Sequence, residues 1–160
     1  MTISTTKNQL FLVELAPPFS RMQIQFVPPD ITWSRLGALK EIDIISRNFP
    51  FQHYTGGKES IKFTLDFFAD DERRADAINK VNWLVSLTYN NASSQQIRNV
   101  KLIWGDLFKD YVWIVNTVRP VLTNFSALHN WLPVYASVEL ELKLDPERNL
   151  TTDDVRFQIP

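Results

Sequence analysis

His53 and His129 are the only imidazoles in the chain, and cysteine is absent. Neither histidine has a second ligand at metal-binding spacing, so the sequence offers no zinc site, thiolate nucleophile or disulfide. A serine hydrolase would draw on His129, but no Gly-x-Ser-x-Gly elbow accompanies it. The clustered carboxylates are Asp70-Asp71-Glu72 and the pair Glu139 and Glu141. The first group stands where a helix begins and reads as capping; the second alternates with leucines and reads as the polar face of a strand. A glycosidase pair need not be adjacent in sequence, and nothing here favours one. Gly56-Gly57-Lys58 looks like part of a phosphate loop, yet Gln52 and Glu59 stand where the Walker pattern needs glycine and Ser or Thr. A strand follows rather than a helix, so no helix N-terminus is on hand for an anion. The expectation is a non-enzyme, with no catalytic residue, metal or cofactor.

The elements that would position any site are those of an ordinary globular chain, with 44% hydrophobic and 22% charged residues in 160. Seventeen Lys and Arg against eighteen Asp and Glu leave a net charge of −1, and the longest basic run is Arg73-Arg74. That balance argues against nucleic-acid binding by bulk electrostatics. No apolar run approaches the ~20 residues that span a bilayer, and Met1 to Gln9 has no apolar signal core. The expectation is therefore a soluble protein made in the cytoplasm, without membrane contact. The sequons at Asn91, Asn124 and Asn149 then read as chance. Aromatic residues make up 12% of the chain, five of them tryptophans, and lean towards β structure and extensive contacts.

Alternation dominates the pattern. Met22, Ile24 and Phe26 alternate with glutamines until Pro28-Pro29 stops the run. Ile61, Phe63, Leu65 and Phe67 alternate with Lys62, Thr64 and Asp66, and Val138, Leu140, Leu142 and Leu144 alternate with Glu139, Glu141 and Lys143. Period two over seven residues predicts a strand with one buried and one wet face. Shorter strands are expected over Leu10–Leu15, Ile31–Arg35, Glu41–Ser46, Val100–Trp104 and Val112–Val118. Between Asp71 and Tyr89 the period changes. Ala77, Ile78, Val81, Leu84, Val85 and Thr88 line one helix face, with Asp70 or Asp71 as N-cap. Gly56-Gly57 predicts a hairpin turn, Asn90–Arg98 a loop, and residues 146–160 a polar tail or arm after a single domain over 1–145.

Three stretches follow in order: Ile24–Ile31, with Phe26 and Pro28; Phe51–Asp71, with Gly56, Gly57, Phe63 and Phe67; and Val100–Ala136, with Trp104-Gly105, Pro133 and Ala136. Together they resemble the tube-like proteins of contractile phage tails and related injection systems. Tyr135 replaces an arginine common in that family, no glycine precedes Leu132-Pro133, and the chain has no room for the LysM module of many relatives. The resemblance implies a mainly β fold with one helix at about 71–89, in which two packed antiparallel sheets form an open barrel. It further implies six copies around a channel, in a ring that initiates the tube or adapts it to the baseplate hub. Such a protein belongs to the virion, beside tube, hub and other baseplate proteins, and lets DNA pass without specific binding.

In that setting Trp33, Trp113, Trp131, Glu139 and Glu141 are the candidates for subunit interfaces or the channel wall, and Trp104 is a core or sheet-edge anchor. Pro28 and Pro133 read as strand terminators. Two rival readings stand beside it. One is a monomeric β-sandwich that stacks sugars on exposed tryptophans; the other is a hydrolase with dispersed acids in a deep pocket.

Overall fold

Residues that alternate in the sequence alternate between two faces of one sheet. The computed structural model describes residues 9–46, 48–89 and 98–145. They form β1 (Phe11–Glu14), β2 (Arg21–Gln23), β3 (Thr32–Ile42), β4 (Phe51–Phe68), α1 (Asp76–Ser86), β5 (Asn99–Ile103), β6 (Trp113–Ser126) and β7 (Leu132–Leu144). All seven strands join in one antiparallel sheet of order β2-β1-β5-β6-β7-β4-β3. The fold is mainly β with one helix. It has one sheet where two packed sheets were expected, and its terminal strands β2 and β3 do not pair to close a barrel. The expected arm at residues 146–160 and most of the expected loop at 90–98 lie outside the described residues.

The sheet curls because its buried side chains must meet. Leu12 and Met22 near one end share a single apolar cluster with Ile61, Phe63, Leu65 and Phe67 near the other, and Val138, Leu140 and Leu142 lie at its centre. Beyond Lys62, which pairs with Thr32, β4 continues without β3 as a neighbour. The chain after β2 returns to that open edge. Gln25 donates to the Phe68 carbonyl at 3.1 Å and accepts from the Phe68 N–H at 3.0 Å. One amide side chain thus takes the place of a strand where the two ends of the sheet approach.

α1 lies on the same buried face, with Ala77, Val81 and Leu84 in the core and the Lys80 ammonium 5.6 Å from the centre of the Phe67 ring. It begins at Asp76, later than expected, and its N-cap Ala75 makes no side-chain capping bond. Asp70 does accept a backbone bond, from Arg73 at 2.8 Å, but that bond closes a turn ahead of the helix. The Trp83 indole reaches back to Ser20 Oγ at 2.8 Å, and Ser20 donates to the buried Glu14 carboxylate at 2.8 Å. Arg98 completes the pairing of Glu14, as a buried charge requires.

Other expectations shift in extent. The strand predicted over Ile31–Arg35 continues as β3 to Ile42, whereas most of the one predicted over Glu41–Ser46 lies beyond its end; β6 runs well past its predicted end and β7 begins well before its predicted start. Gly56-Gly57 is not a hairpin turn. Both residues lie inside the 18-residue β4, Gly57 opposite Gly37 and Gly56 opposite Ala38. Thr55 is the extra residue of a bulge at this point, and Gly56 takes φ +115°, where a side chain would strain the backbone. The hairpin reverses instead within residues 43–50.

Leu140 is fully buried at the centre of the cluster, so Leu140→Ala is expected to lower unfolding free energy by about 2–5 kcal/mol in urea titrations. Gln25→Ala is expected to cost about 1–2 kcal/mol through its two exchanged bonds, with the far-ultraviolet spectrum unchanged.

Candidate assembly interface

β6, β7, β4 and β3 form a four-stranded ribbon whose two faces differ sharply. One face carries Ile61, Phe63, Leu65, Phe67, Ala136, Val138, Leu140 and Leu142 into the core. The opposite face is polar, and the ladder sets its rows. Lys62, Glu141 and Thr117 lie side by side, as do Thr64, Glu139 and Arg119. Lys62 pairs with Glu141 at 3.9 Å, and Asn116 donates to the same carboxylate at 3.2 Å. The next row brings Asp66 beside Ser137, and the Tyr135 hydroxyl donates to Asp66 at 2.7 Å. That hydrogen bond, then desolvation and the carboxylate charge, raise the Tyr135 phenol above the ordinary tyrosine value. Because α1 occupies the buried face, the polar face is left uncovered.

The ribbon is frayed at both ends, in opposite directions. From the Thr32–Lys62 row, β3 and the first half of β4 run away from the body as a hairpin exposed along nearly its whole length. Its tip presents Ile45 at 96% and Phe49 at 81% exposure. From the Thr117–Glu141 row, β6 and β7 run the other way to a turn at Ala127–His129 that presents Leu128 at 93% and Trp131 at 69% exposure. Each long edge has strand neighbours on one side only among the described residues. β3 is terminal in the sheet, and β5 covers β6 only at Trp113 and Ile114.

The hairpin is fastened at its base by aromatic and polar contacts. Trp33 donates its indole N–H to the buried Glu59 at 2.6 Å and packs edge-on against Phe108, with ring centres 5.5 Å apart. Arg35 lies 3.8 Å from the same carboxylate, and its hydrogen bond with the Tyr54 hydroxyl, then the Glu59 charge, hold the guanidinium in its charged form. Tyr54 lies against a saddle made by Gly37 and Gly57. A Cβ on Gly57 would stand 2.9 Å from the Tyr54 oxygen and 3.0 Å from the Leu36 carbonyl, which explains a second glycine beside the bulge.

The residues singled out by sequence divide accordingly. Phe63, Phe67 and Ala136 are core, and Trp104 packs on that core with its ring edge-on to Phe63 at 6.3 Å. Gly105 takes φ +56° in the tight turn after Trp104. Phe26 is exposed and Pro28 buried in the connection from β2 to β3. Pro133 is buried inside β7 opposite Phe125, so it belongs to the strand and does not end one. Trp113 is no surface residue: it is fully buried and stacks on Tyr111 at 5.2 Å. Trp33 lies at the base of the edge strand β3 and Trp131 at the far end of the ribbon, in the β6–β7 turn, so they form no shared platform. Glu139 and Glu141 lie on the polar face. Sequence reasoning missed Glu59 and Tyr54, whose partners come from β3, and the apolar tip residues Ile45 and Phe49. An apolar pair inside a turn segment was the one available signal.

Among the described residues, catalytic groups do not converge. Ser126 Oγ lies 2.9 Å from His129 Nδ1 within the β6–β7 turn, but no carboxylate bonds His129 among the described residues. A cavity of about 750 Å³ beside the hairpin tip is lined by residues of which Glu41 is the only ionisable one among those described. No cluster of three or more His, Asp or Glu stands ready for a metal among the described residues. No helix among them is long and apolar enough to cross a membrane.

No family model and no curated protein matches this sequence. Among solved structures, a chain from the virion of a native gene transfer agent particle is similar at 11% identity, over 88% of this chain and 92% of that one, with a TM-score of 0.43. The likeness is too loose to support a strand-by-strand correspondence.

Ionisation of Tyr135 is expected above the ordinary tyrosine range in absorbance titrations at alkaline pH, with Tyr135→Phe identifying the signal. The raised value means that the stabilisation is complete below the unfolded-state value and is lost as pH rises through the folded one. Asp66→Asn is expected to return the transition to the ordinary range. Gly57→Ala is expected to destabilise the hairpin by about 1–3 kcal/mol, read as faster proteolysis within residues 43–50.

Proposed function

We propose that this chain is a structural, non-enzymatic ring component of a phage-tail-like particle, in which copies join edge to edge around a central channel. The observation that carries this reading is the ribbon whose two edges have no strand neighbour among the described residues, eleven residues of β3 on one side and the stretch of β6 beyond Val115 on the other. Long unprotected edges are templates for another strand, and heterologous contacts that repeat around an axis pair every edge and leave none over.

The four strands alternate in direction, so β3 and β6 run antiparallel, and a second copy in the same orientation meets the first in antiparallel pairing. The body, with α1 and β1, packs on the apolar face and must lie outside such a ring. The polar face then lines the channel, with Lys62, Arg119 and Lys143 interspersed among Asp66, Glu139 and Glu141. Six copies would make a barrel of about 24 strands, about 45–50 Å between opposite backbones. A lining of both signs, with Glu141 paired to Lys62 and Asp66 bonded to Tyr135, suits passage of DNA without sequence-specific binding. The ordered motifs that resemble tail-tube proteins favour a tube initiator or an adaptor between baseplate hub and tube. The apolar tips at opposite ends of the ribbon suit different neighbours above and below.

Light scattering on the purified chain over a wide concentration range, with negative-stain images, tests the reading. Rings with a central hole are expected, with short stacks rather than long filaments for an initiator or adaptor. A rigid monomer at every concentration would overturn it, and saturable sugar binding by that monomer would favour the carbohydrate-binding alternative.

A further inference from the structure

The two free edges are offset along the ribbon, and that offset constrains how a second copy can fit. β3 extends from the Thr32–Lys62 row towards one end, whereas the uncovered part of β6 extends from the Thr117–Glu141 row towards the other. These two rows are the same row, because Lys62 lies opposite Glu141 and Glu141 opposite Thr117. Two copies placed level would therefore overlap by hardly more than one residue. To gain pairing, the neighbour must slide along the strand direction, and only towards the hairpin tip.

Two further conditions limit the slide. Side chains alternate between faces with period two, so an odd slide would place the neighbour's apolar row on the polar face. Four strands at about 4.8 Å give each copy a width of about 19 Å, and each residue of slide adds about 3.4 Å of stagger. Barrel strands tilt by about 35–45°. A slide of about four residues gives a tilt of about 35°, and about six residues gives about 47°; two and eight give about 20° and about 55°, well outside the range.

Building on the ring reading, we infer that a second copy seats its β6 antiparallel against β3, displaced towards the hairpin tip by an even slide of about four to six residues. The shorter slide sets Thr32 opposite Val121, Ser34 opposite Arg119 and Leu36 opposite Thr117 of the second copy. The longer one sets Thr32 opposite Thr123, Ser34 opposite Val121, Leu36 opposite Arg119 and Ala38 opposite Thr117. Both bring the exposed Leu36 and Val121 into the seam. In either register the uncovered stretch of the neighbour's β6 ends before the hairpin tip is reached, so the exposed Ile45 and Phe49 at the tip are left for contacts outside this seam.

The absence of cysteine makes the register measurable by paired cysteines. Within one chain, β3 and β6 are separated by two intervening strands, about 14 Å, too far for a disulfide or a short bis-thiol linker, so any link joins two copies. Full-length chains carrying Ser34→Cys with Arg119→Cys, or Ser34→Cys with Val121→Cys, are oxidised under conditions where light scattering finds oligomers. A ladder of linked species on non-reducing gels is expected for one of these two pairs, at least tenfold above Ser34→Cys with Thr117→Cys, with Pro120→Cys or with Thr123→Cys. Rings or other oligomers that link best through any of those three pairs, or through none of the five, overturn the register and leave the ring reading standing. Chains that stay monomeric at every concentration overturn both.

Discussion

A strand completes its backbone hydrogen bonds only through its neighbours, and among the described residues the outer strands of the β6-β7-β4-β3 ribbon have neighbours on one side only along most of their length. An antiparallel edge presents alternate residues with unpaired N–H and C=O groups, roughly five on each of these edges. Soluble proteins usually blunt such edges with proline, inward charges or short strands. Here β3 is eleven residues long, and the proline in the open stretch of β6 is Pro120 alone. The arrangement leaves the edges available, and the shape of the rest of the molecule follows from keeping them so.

The body does this by confining its packing to one face. α1, the Gln25 amide and the short strands β1, β2 and β5 all serve the apolar side, where they cover the core and join the curled ends of the sheet. None of them crosses to the polar face. The hairpin, which has no core of its own, is held where it leaves the body by Trp33 and Glu59 and by Arg35 beneath Tyr54. Two anchors from β3 meet one buried carboxylate on β4, and the glycine saddle lets the tyrosine lie flat along the ladder. A projecting arm is thus positioned by a few contacts at its root, while its tip stays free to meet another surface.

The same geometry links packing to chemistry. The polar face carries acids and bases in neighbouring rows, with Lys62 paired to Glu141 and Asp66 bonded to Tyr135 within the sheet. The imidazoles and carboxylates that a catalytic search would notice serve local ends: Asp70 closes a turn, His129 contacts Ser126 in another, and Glu14 and Glu59 are buried against cations and hydroxyl or indole donors. What distinguishes this surface is backbone rather than side chain.

Much of the fold was legible in the sequence because its signal is local. The alternation through Ile61–Phe67 and Val138–Leu144 is the pleat itself, and the three- and four-residue spacing of Ala77, Val81 and Leu84 is the helix surface that buries them. Long-range pairing was not. Gly56-Gly57 satisfies the requirements of a turn and of a bulge alike, and only the pairing of β4 with β3 selects the bulge. Trp113 and Trp33 look alike as isolated aromatics, yet the curl of the sheet buries one and leaves the other half-exposed. The offset of the two free edges belongs to no segment at all: it arises from the registers of four strands counted across one row, and so exists only in the folded chain.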